Sequence, residues 1–290
     1  MVAAAMLWSI AGVVTRQVEQ AQAFELTFWR SGFNAIALVV LLSVLRGPVR
    51  LAAQLRGADA RLWLSGLCWT VMFTAFMVAL TLTSVAGVLV TMALAPLLTA
   101  LVARAALGHR LPRRTWMAIG LAGAGIAWMY GSQLGSGDAR QWLGTAVALA
   151  VPLAAAVNWT LLQHLRNVQG PAGDLMPAVL IGALLSALLT LPLAWPLTAT
   201  AADVGWLALL GVAQLAVPCL MAVAAARVLS APEIALLGLL EVVFGVSWAW
   251  LGAGEAPRPA ELGGGGLVLG ALVTHELIAM RTPPPGARNR

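Results

Sequence analysis

Apolar residues dominate ten stretches of the chain, and short polar connections separate these stretches. They cover residues 2–14, 26–45, 62–80, 85–107, 115–130, 142–162, 175–195, 204–226, 234–252 and 262–280. Most of them approach the roughly 20 residues that an α-helix needs to cross a bilayer, where only bonding within the helix satisfies the backbone. The pattern predicts an all-α membrane protein with ten transmembrane helices, which we number as spans one to ten.

The first stretch is shorter than the other nine. We expect it either to run on to Val18 or to continue from residues upstream of Met1. No basic residue precedes its apolar run and nine more stretches follow, so it does not resemble a signal peptide.

The two halves of the chain match each other at an offset of half the 290-residue length. The matched pairs are Gly66 and Gly211, Ala79 and Ala224, Pro96 and Glu241, Pro112 and Pro257, Arg113 and Arg258, Gly120 and Gly265, and Gly125 and Gly270. Each half holds five spans, an odd number, so the second half is predicted to be inverted. We predict one repeat over 1–141 and a second over 142–290, joined in one transport domain. Such repeats are typical of alternating access around a site near the membrane midplane.

Composition and charge support a membrane protein. Hydrophobic residues make up 61% of the chain and charged residues 10%, against about 45–50% and 25% in soluble domains. All 17 basic residues are arginine. With the N-terminus inside, three arginines fall on the outer side (Arg16, Arg140 and Arg258), Arg30 lies within span two, and the other thirteen fall inside. The positive-inside rule then predicts cytoplasmic termini, and we expect a multi-pass protein of the bacterial inner membrane. The net charge of +6 orients the helices, so no nucleic-acid partner is expected.

Several chemical signatures are missing from the sequence. Cys68 and Cys219 lie in mid-span, where thiols behave as small hydrophobes, so no structural disulfide is expected. The three histidines occupy separate segments and no Cys/His pair has ligand spacing, so no metal or cofactor is expected. The glycine run 263–266 lacks the Lys-Ser/Thr of a nucleotide loop. We expect a non-enzymatic carrier that is passive or ion-coupled, with protons as the candidate ion.

The end of each half has the same layout: an apolar span with a central Pro or Glu, a polar turn containing Pro, and a Gly-rich span. The first half reads ALAPLLTALVARAALGHRLPRRTWMAIGLAGAGIAW, and the second reads GLLEVVFGVSWAWLGAGEAPRPAELGGGGLVLGALV. Leu7 and Trp8 open the first half, and Asn158 and Trp159 open the second.

These motifs resemble the drug/metabolite transporter superfamily, in its ten-helix EamA-type branch, over essentially the whole chain. Two positions depart from the family: His109 and Arg110 replace Gly-Glu after span four, and Val242 replaces the proline of Leu-Glu-Pro in span nine. The resemblance implies two inverted five-helix repeats that transport small organic molecules. The many tryptophans are similar to those of bacterial exporters of aromatic and other amino acids.

Glu241 lies eight residues into span nine, near the middle of the bilayer. An ionised carboxylate there costs at least about 2.5–3.5 kcal/mol, so it must face a cavity or a partner. We interpret Glu241 as a residue that binds a substrate amine or accepts a proton; the alternative is a structural carboxyl group. Pro96, its repeat mate, is expected to kink the fourth helix at the same depth and to form part of a gate.

Arg30 lies about one turn inside the outer end of span two. We expect its side chain to snorkel to the outer headgroups. The alternative is an ion pair with an acidic residue of the outer loop, such as Glu25, that closes an outer gate.

Polar residues and deep tryptophans on apolar helices are further candidates for substrate binding. They are Trp8, Ser9, Trp69, Thr91, Asn158, Trp159, Gln163, Gln214 and Trp248. Intramembrane amides and hydroxyls also commonly bond to neighbouring helices. The Trp8–Ser9 and Asn158–Trp159 pairs occupy matching places, which favours a cavity shared by spans one and six.

Two other groups of residues have structural interpretations. Tryptophans near span ends are expected to anchor at the membrane surface, namely Trp63, Trp116, Trp142, Trp195 and Trp206. Small residues at helical spacing are expected to bring spans five and ten together as a peripheral support, including Gly120, Gly123, Gly266 and Gly270.

The sequence therefore predicts an inner-membrane carrier that exports a small metabolite, with amino acids as the leading class. The site is expected to involve spans one, three, four, six, eight and nine, with membrane lipids around the protein. One alternative is a carrier of nucleosides, sugars or drugs; phosphorylated substrates need intramembrane cations, and only Arg30 qualifies. A second alternative is a membrane enzyme or scaffold on the same fold.

Overall fold

A computed structural model describes residues 1–107, 113–131, 139–169, 175–229 and 231–281. The helices in chain order are α1 (Val2–Ser9), α2 (Ala11–Thr15), α3 (Ala23–Arg46), α4 (Pro48–Arg56), α5 (Ala60–Leu82), α6 (Val85–Met92), α7 (Ala95–Leu107), α8 (Arg113–Gly131), α9 (Ala139–Gln169), α10 (Met176–Ala194), α11 (Ala201–Leu209), a π-helical segment π1 (Leu210–Ala216), α12 (Val217–Ala225), α13 (Ala231–Ala253) and α14 (Pro259–Arg281). No strand occurs within these ranges.

All ten predicted stretches coincide with helical regions. Within the described ranges, six regions are long and apolar enough to cross a membrane: Ala23–Arg46, Ala60–Leu82, Val85–Ala106, Ala139–Leu165, Met176–Ala194 and Ala201–Ala225. Two shorter apolar helices, Val2–Thr15 and Leu237–Ala253, coincide with spans one and nine. The predicted all-α membrane fold is confirmed, whereas the count of ten spans and the inversion of the repeats stay predictions.

Three of the predicted spans are not continuous α-helices. Span one breaks at Ile10 between α1 and α2, and span four breaks at Ala93 and Leu94 between α6 and α7. Pro96 is the second residue of α7, so the break in span four lies beside the proline that predicted a kink. Span eight contains π1, and π-helical turns often occur at functional sites.

Polar residues fix several of the helix starts. Asp59 accepts the Leu62 amide at 2.9 Å at the start of α5, and Ser84 accepts the Gly87 amide at 3.1 Å at the start of α6. Thr200 and Asp203 form a capping box at α11. These contacts satisfy backbone donors that have no partner within the helix.

A short helix that we did not predict, α4, lies in the connection between spans two and three. It begins with Pro48 directly after Gly47, whose φ of 83° favours glycine. Leu51 is buried, whereas Val49 and the arginines at both ends are exposed. Such an amphipathic helix with basic residues suits the membrane surface.

Helices from both halves of the chain pack closely together. α3 and α5 each contact α10, α5 and α7 contact α9, and α1 contacts α12 and α13. α8 and α14 pack against each other at the periphery, as predicted for spans five and ten.

Two glycines that match in the repeat lie at close contacts between the halves. A Cβ atom added to Gly66 on α5 would lie 2.6 Å from Ile181 Cγ2 on α10. A Cβ atom added to Gly211 on π1 would lie 2.6 Å from the Arg30 carbonyl oxygen on α3. Any larger residue at either position would force the helices apart.

The glycines that hold α8 to α14 differ from those predicted. A Cβ atom added to Gly125 would lie 2.7 Å from the Gly264 carbonyl oxygen. At all four glycines expected at this contact, an added Cβ atom would meet no atom of the described chain within 4 Å. The prediction was wrong because small-residue spacing repeats on more than one face of a Gly-rich helix, and Ala118, Ala122 and Gly125 form the buried face.

One motif used for the resemblance cannot be compared with the structure. His109, Arg110 and Pro112 lie outside the described residues. The corresponding turn after span nine contains Gly254. Its φ of 65° is easily adopted by glycine, whereas most other residues would be strained there.

Candidate functional site

A cavity of about 140 Å³ lies among the helices of both halves. Engineered cavities of about this size bind benzene, so it can hold part of a small organic molecule. Seven of the predicted site residues line it: Trp8, Arg30, Trp69, Pro96, Trp159, Gln214 and Glu241. Their side chains come from spans one, three, four, six, eight and nine, as expected, and additionally from span two through Arg30.

Aromatic side chains form one wall of the cavity. The Trp69 and Trp159 rings meet edge to face with their centroids 6.0 Å apart, and the Trp69 and Phe73 centroids are 5.4 Å apart. Edge-to-face pairs of this kind stabilise a fixed ring arrangement. The indole nitrogen of Trp69 is buried and has no hydrogen-bond partner among the described residues.

Arg30 lies inside the protein rather than at its outer surface. Its side chain is 1% exposed, and its guanidinium carbon lies 5.5 Å from the centre of the Phe76 ring. The snorkelling prediction was wrong because the helices around α3 bury this position completely.

The suggested ion pair between Arg30 and Glu25 does not form. The Glu25 carboxylate accepts the amides of Thr198 and Ala199 at 2.8–3.0 Å and the Trp29 indole N–H at 3.3 Å. It therefore fixes the segment before α11 against the start of α3. Because the Glu25 carboxylate is used there, it does not pair with Arg30, which lines the cavity instead.

Glu241 enters the cavity from α13 and Pro96 from α7. Glu241 is 9% exposed. No described basic side chain lies within the 4.0 Å of Glu241 that defines an ion pair. The cavity is thus lined by a buried acidic side chain and a buried basic side chain that form no ion pair in the described structure.

Several predicted polar residues contact neighbouring backbone or helices instead of lining the cavity. The Ser9 hydroxyl donates to the Met6 carbonyl at 2.7 Å, and the Thr91 hydroxyl donates to the Gly87 carbonyl at 2.8 Å. Asn158 Oδ1 accepts the Ser65 hydroxyl at 2.7 Å between α9 and α5. Of the two predicted polar–aromatic pairs, Trp8 and Trp159 line the cavity, and Ser9 and Asn158 do not.

Gln163 and Trp248 also lie away from the cavity. Gln163 is half-buried on α9, one turn beyond Trp159. Trp248 is 42% exposed and lies seven residues, about 10 Å, along α13 from Glu241. The buried face of α13 passes through Gly245 and Ala249, which turns Trp248 outward. The tryptophans expected at the membrane surface are exposed as well.

Met72, Phe73 and Phe76 line the cavity but were not predicted. They continue the face of α5 that begins at Trp69, at spacings of three, four and seven residues. This helical periodicity of large side chains was the available signal.

Polar side chains join the helix ends on the side that the arginine pattern places outside. Arg16 Nε lies 2.7 Å from Glu255 Oε2, and Arg16 also donates to the Leu80 carbonyl at 3.0 Å. Glu255 accepts the Val85 amide at 2.7 Å, and Glu261 accepts the Ser84 hydroxyl. These bonds connect α2, the α5–α6 turn and the connection between α13 and α14, so one outer polar layer joins these helix ends.

The cavity extends in the opposite direction. Its lining includes Met1 and Ile234, near the inner starts of α1 and α13, and contains none of the residues that form the outer polar layer. With the orientation predicted from the arginines, the cavity therefore extends towards the cytoplasm.

Comparisons with known proteins agree with this architecture. A solved structure described as "Crystal structure of protein" matches with a TM-score of 0.68 and 20% sequence identity, and the match covers 96% of each chain. At this identity the similarity shows the fold alone. No curated protein matches the chain.

A protein-family comparison gives the functional class. Residues 1–131, which contain the first five predicted spans, match the model of the EamA-like transporter family. Members of this family are membrane proteins that transport small molecules, in agreement with the multi-pass helical structure and its internal cavity. Through residues 1–131, slightly less than half of its length, the chain is therefore similar to a family of membrane transporters of small molecules.

Proposed function

We propose that this transporter exports amino acids across the bacterial inner membrane by alternating access between two inverted five-helix repeats. The position of Glu241 carries the proposal. A buried carboxylate without an ion pair in the described chain requires water or a cationic partner inside a membrane. A substrate ammonium group supplies that partner, and the indole ring of Trp8 on the cavity wall adds cation–π attraction of about 0.5–2 kcal/mol.

The helix contacts support two structurally related halves. The contact between α5 (span three) and α10 (span seven) has a counterpart between π1 (span eight) and α3 (span two). The contact between α7 (span four) and α9 (span six) has a counterpart between α13 (span nine) and α1 (span one). A five-span offset relates each contact to its counterpart, as expected when a two-fold axis relates two repeats.

The layer of outer polar contacts supports alternating access. Arg16 and Glu255 bind helix ends on one side of the cavity while its other end extends towards Met1 and Ile234. This arrangement corresponds to the inward-facing member of a pair of states, and the outward-facing state requires these bonds to break.

The alternatives find less support. A carrier of nucleosides or neutral sugars leaves the carboxylate of Glu241 without a cationic partner. A membrane enzyme or scaffold does not agree with the family match, and no group of three metal-ligating side chains occurs in the described residues. Proton coupling through Glu241 is compatible with amino-acid export, because protonation also neutralises the buried carboxylate.

Transport in proteoliposomes tests the proposal. Vesicles that contain the purified protein are loaded with labelled amino acids, nucleosides or sugars, and release is followed with and without a pH gradient. We expect amino acids to leave several times faster than from protein-free vesicles. Release of nucleosides or sugars, but of no amino acid, would overturn the assignment. A response to the pH gradient would identify protons as the coupling ion.

A further inference from the structure

Arg30 has hydrogen-bonding capacity that the protein does not use. In the described part of the chain, no acceptor lies within bonding distance of its Nε or Nη1, although both atoms are buried. A buried polar group without a partner costs about 1–3 kcal/mol, and a charged group costs more. Because Arg30 lies on the wall of an internal cavity, the cost of burying its unsatisfied donors suggests that a bound ligand supplies the acceptor.

The neighbouring acidic residues do not provide that acceptor. The carboxylate of Glu25 receives hydrogen bonds from Thr198, Ala199 and Trp29. Glu241 faces the same cavity, but no ion pair between Arg30 and Glu241 occurs in the described structure. Two charges that share a cavity without touching leave room for a ligand that carries both opposite charges.

The rest of the cavity wall restricts the chemistry of that ligand. The Arg30 guanidinium carbon lies over the Phe76 ring, 5.5 Å from its centre, so an aromatic face occupies one side of the cation. The buried indole N–H of Trp69 is another donor without a partner in the described chain. Gln214 donates to the Trp8 carbonyl at 3.2 Å, and its own oxygen remains without a donor. The unused groups thus favour an anionic group near Arg30 and Trp69, and a donor near Gln214.

We propose that Arg30 binds the substrate carboxylate, while Glu241 binds the substrate ammonium group, so that the site selects zwitterionic α-amino acids. A planar guanidinium binds a carboxylate through two parallel hydrogen bonds, which gives direction as well as strength. Met72, Phe73 and Trp159 then surround the amino-acid side chain, which favours apolar and aromatic substrates. This assignment rests on the proposed function and adds the group that recognises the carboxylate.

Binding measurements on the wild-type protein distinguish the contribution of the ligand carboxylate from that of its ammonium group. Four probes with the same side chain are compared by thermal shift titration: L-phenylalanine, L-phenylalaninamide, phenethylamine and N-acetyl-L-phenylalanine. We expect L-phenylalanine to bind at least about tenfold more tightly than each of the other three, because each lacks one charge-assisted contact. If the amide and the amine bind as tightly as the amino acid, the role of Arg30 is overturned while recognition of the amine survives. If none of the four binds, this proposal fails together with amino-acid recognition.

Three variants test which side chain produces each preference. Arg30→Gln should reduce the preference for phenylalanine over its amide to about twofold or less, whereas Glu241→Gln should retain that preference and lose the preference over N-acetylphenylalanine. Arg30→Lys, which keeps the charge but loses the two parallel donors, should give an intermediate value. An unchanged preference in folded Arg30→Gln would contradict the assignment. If that variant does not fold, the wild-type comparison of the four probes still decides.

Discussion

Arg16 and Glu255, 239 residues apart in the chain, form an ion pair of 2.7 Å between the end of α2 and the connection that follows α13. Both side chains also bind backbone at the α5–α6 turn, through the Leu80 carbonyl and the Val85 amide. One residue pair therefore joins three otherwise separate connections. Its side chains are about a quarter to a third exposed, so water reduces the strength of the pair.

Breaking this ion pair should open the outer side of the cavity. In a protein with Cys68 and Cys219 replaced by Ala, Leu89→Cys reports access to the cavity from outside. Arg16→Gln should raise labelling by an impermeant maleimide about two- to fivefold, because a part-exposed pair contributes up to about 1 kcal/mol. Arg50→Gln on α4 is the control and should not change labelling.

Exchange of the two charges provides a stricter test. Arg16→Glu and Glu255→Arg should each raise labelling, and the double variant should bring it back towards the wild-type value. Equal labelling in all variants would show that the outer side is closed without this pair.

Glu241→Gln should reduce amino-acid transport at least about tenfold and leave the melting temperature near the wild-type value. The neutral amide keeps the shape of the side chain but loses a charge-assisted bond to the substrate amine, worth about 1.5–3 kcal/mol. The control is Ser247→Ala on the exposed side of the same helix, which should transport normally. Wild-type rates in Glu241→Gln across the pH range would make the carboxylate structural.

Trp159→Ala should change substrate preference, whereas Trp248→Ala should not. Trp159 lines the cavity and packs against Trp69, and Trp248 lies exposed on α13. We expect the ratio of transport efficiencies for phenylalanine and alanine to change about tenfold in Trp159→Ala, since a large aromatic contact is lost. The ratio is measured by competition in proteoliposomes. A change in Trp248→Ala alone would place the substrate elsewhere.

Gly125→Leu should destabilise the protein by about 1–3 kcal/mol, the range for overpacked interiors. The larger side chain would meet the Gly264 carbonyl oxygen and push α8 away from α14. Gly123→Leu on the same helix is the matched control and should have little effect, because an added Cβ meets no described atom within 4 Å. Thermal unfolding in detergent measures both, and equal losses would contradict the assigned contact.

The predicted orientation can be measured independently of transport. Single cysteines at Gly57 and Gln20, in the background without Cys68 and Cys219, should react from the cytoplasmic side and from the outside respectively. The reason is the asymmetry of the arginines along the chain. The reverse labelling pattern would invert the topology.

Hydropathy predicted the helices well because every segment that crosses a bilayer must be apolar and must satisfy its backbone hydrogen bonds internally. It could not predict that span eight contains π1, since hydropathy does not distinguish a π-helical turn from an α-helical one; Gly211 of π1 lies against the Arg30 backbone. The short helix α4 was missed because its nine residues are too few for a span and its apolar side is small.

The candidate site was predicted in part. Glu241 and Pro96 were found because a carboxylate or a proline in mid-span is rare and costly in any membrane helix. Ser9 and Asn158 were assigned wrongly because a polar side chain in a span equally serves a neighbouring helix, and only the structure shows that Asn158 bonds to Ser65. The sequence identified Arg30 as a charged residue within a span but could not predict its burial, since that depends on helices distant in the chain.

The glycine contacts of α5 with α10 and of π1 with α3 have a mechanical consequence. Gly66 packs against the Ile181 side chain and Gly211 against the α3 backbone, so sliding of these helices past each other would bring atoms into collision. If one half rotates against the other, we expect the rotation to be centred near these two contacts. The ends of the helices then travel furthest, and these ends include the outer connections that Arg16 and Glu255 hold together.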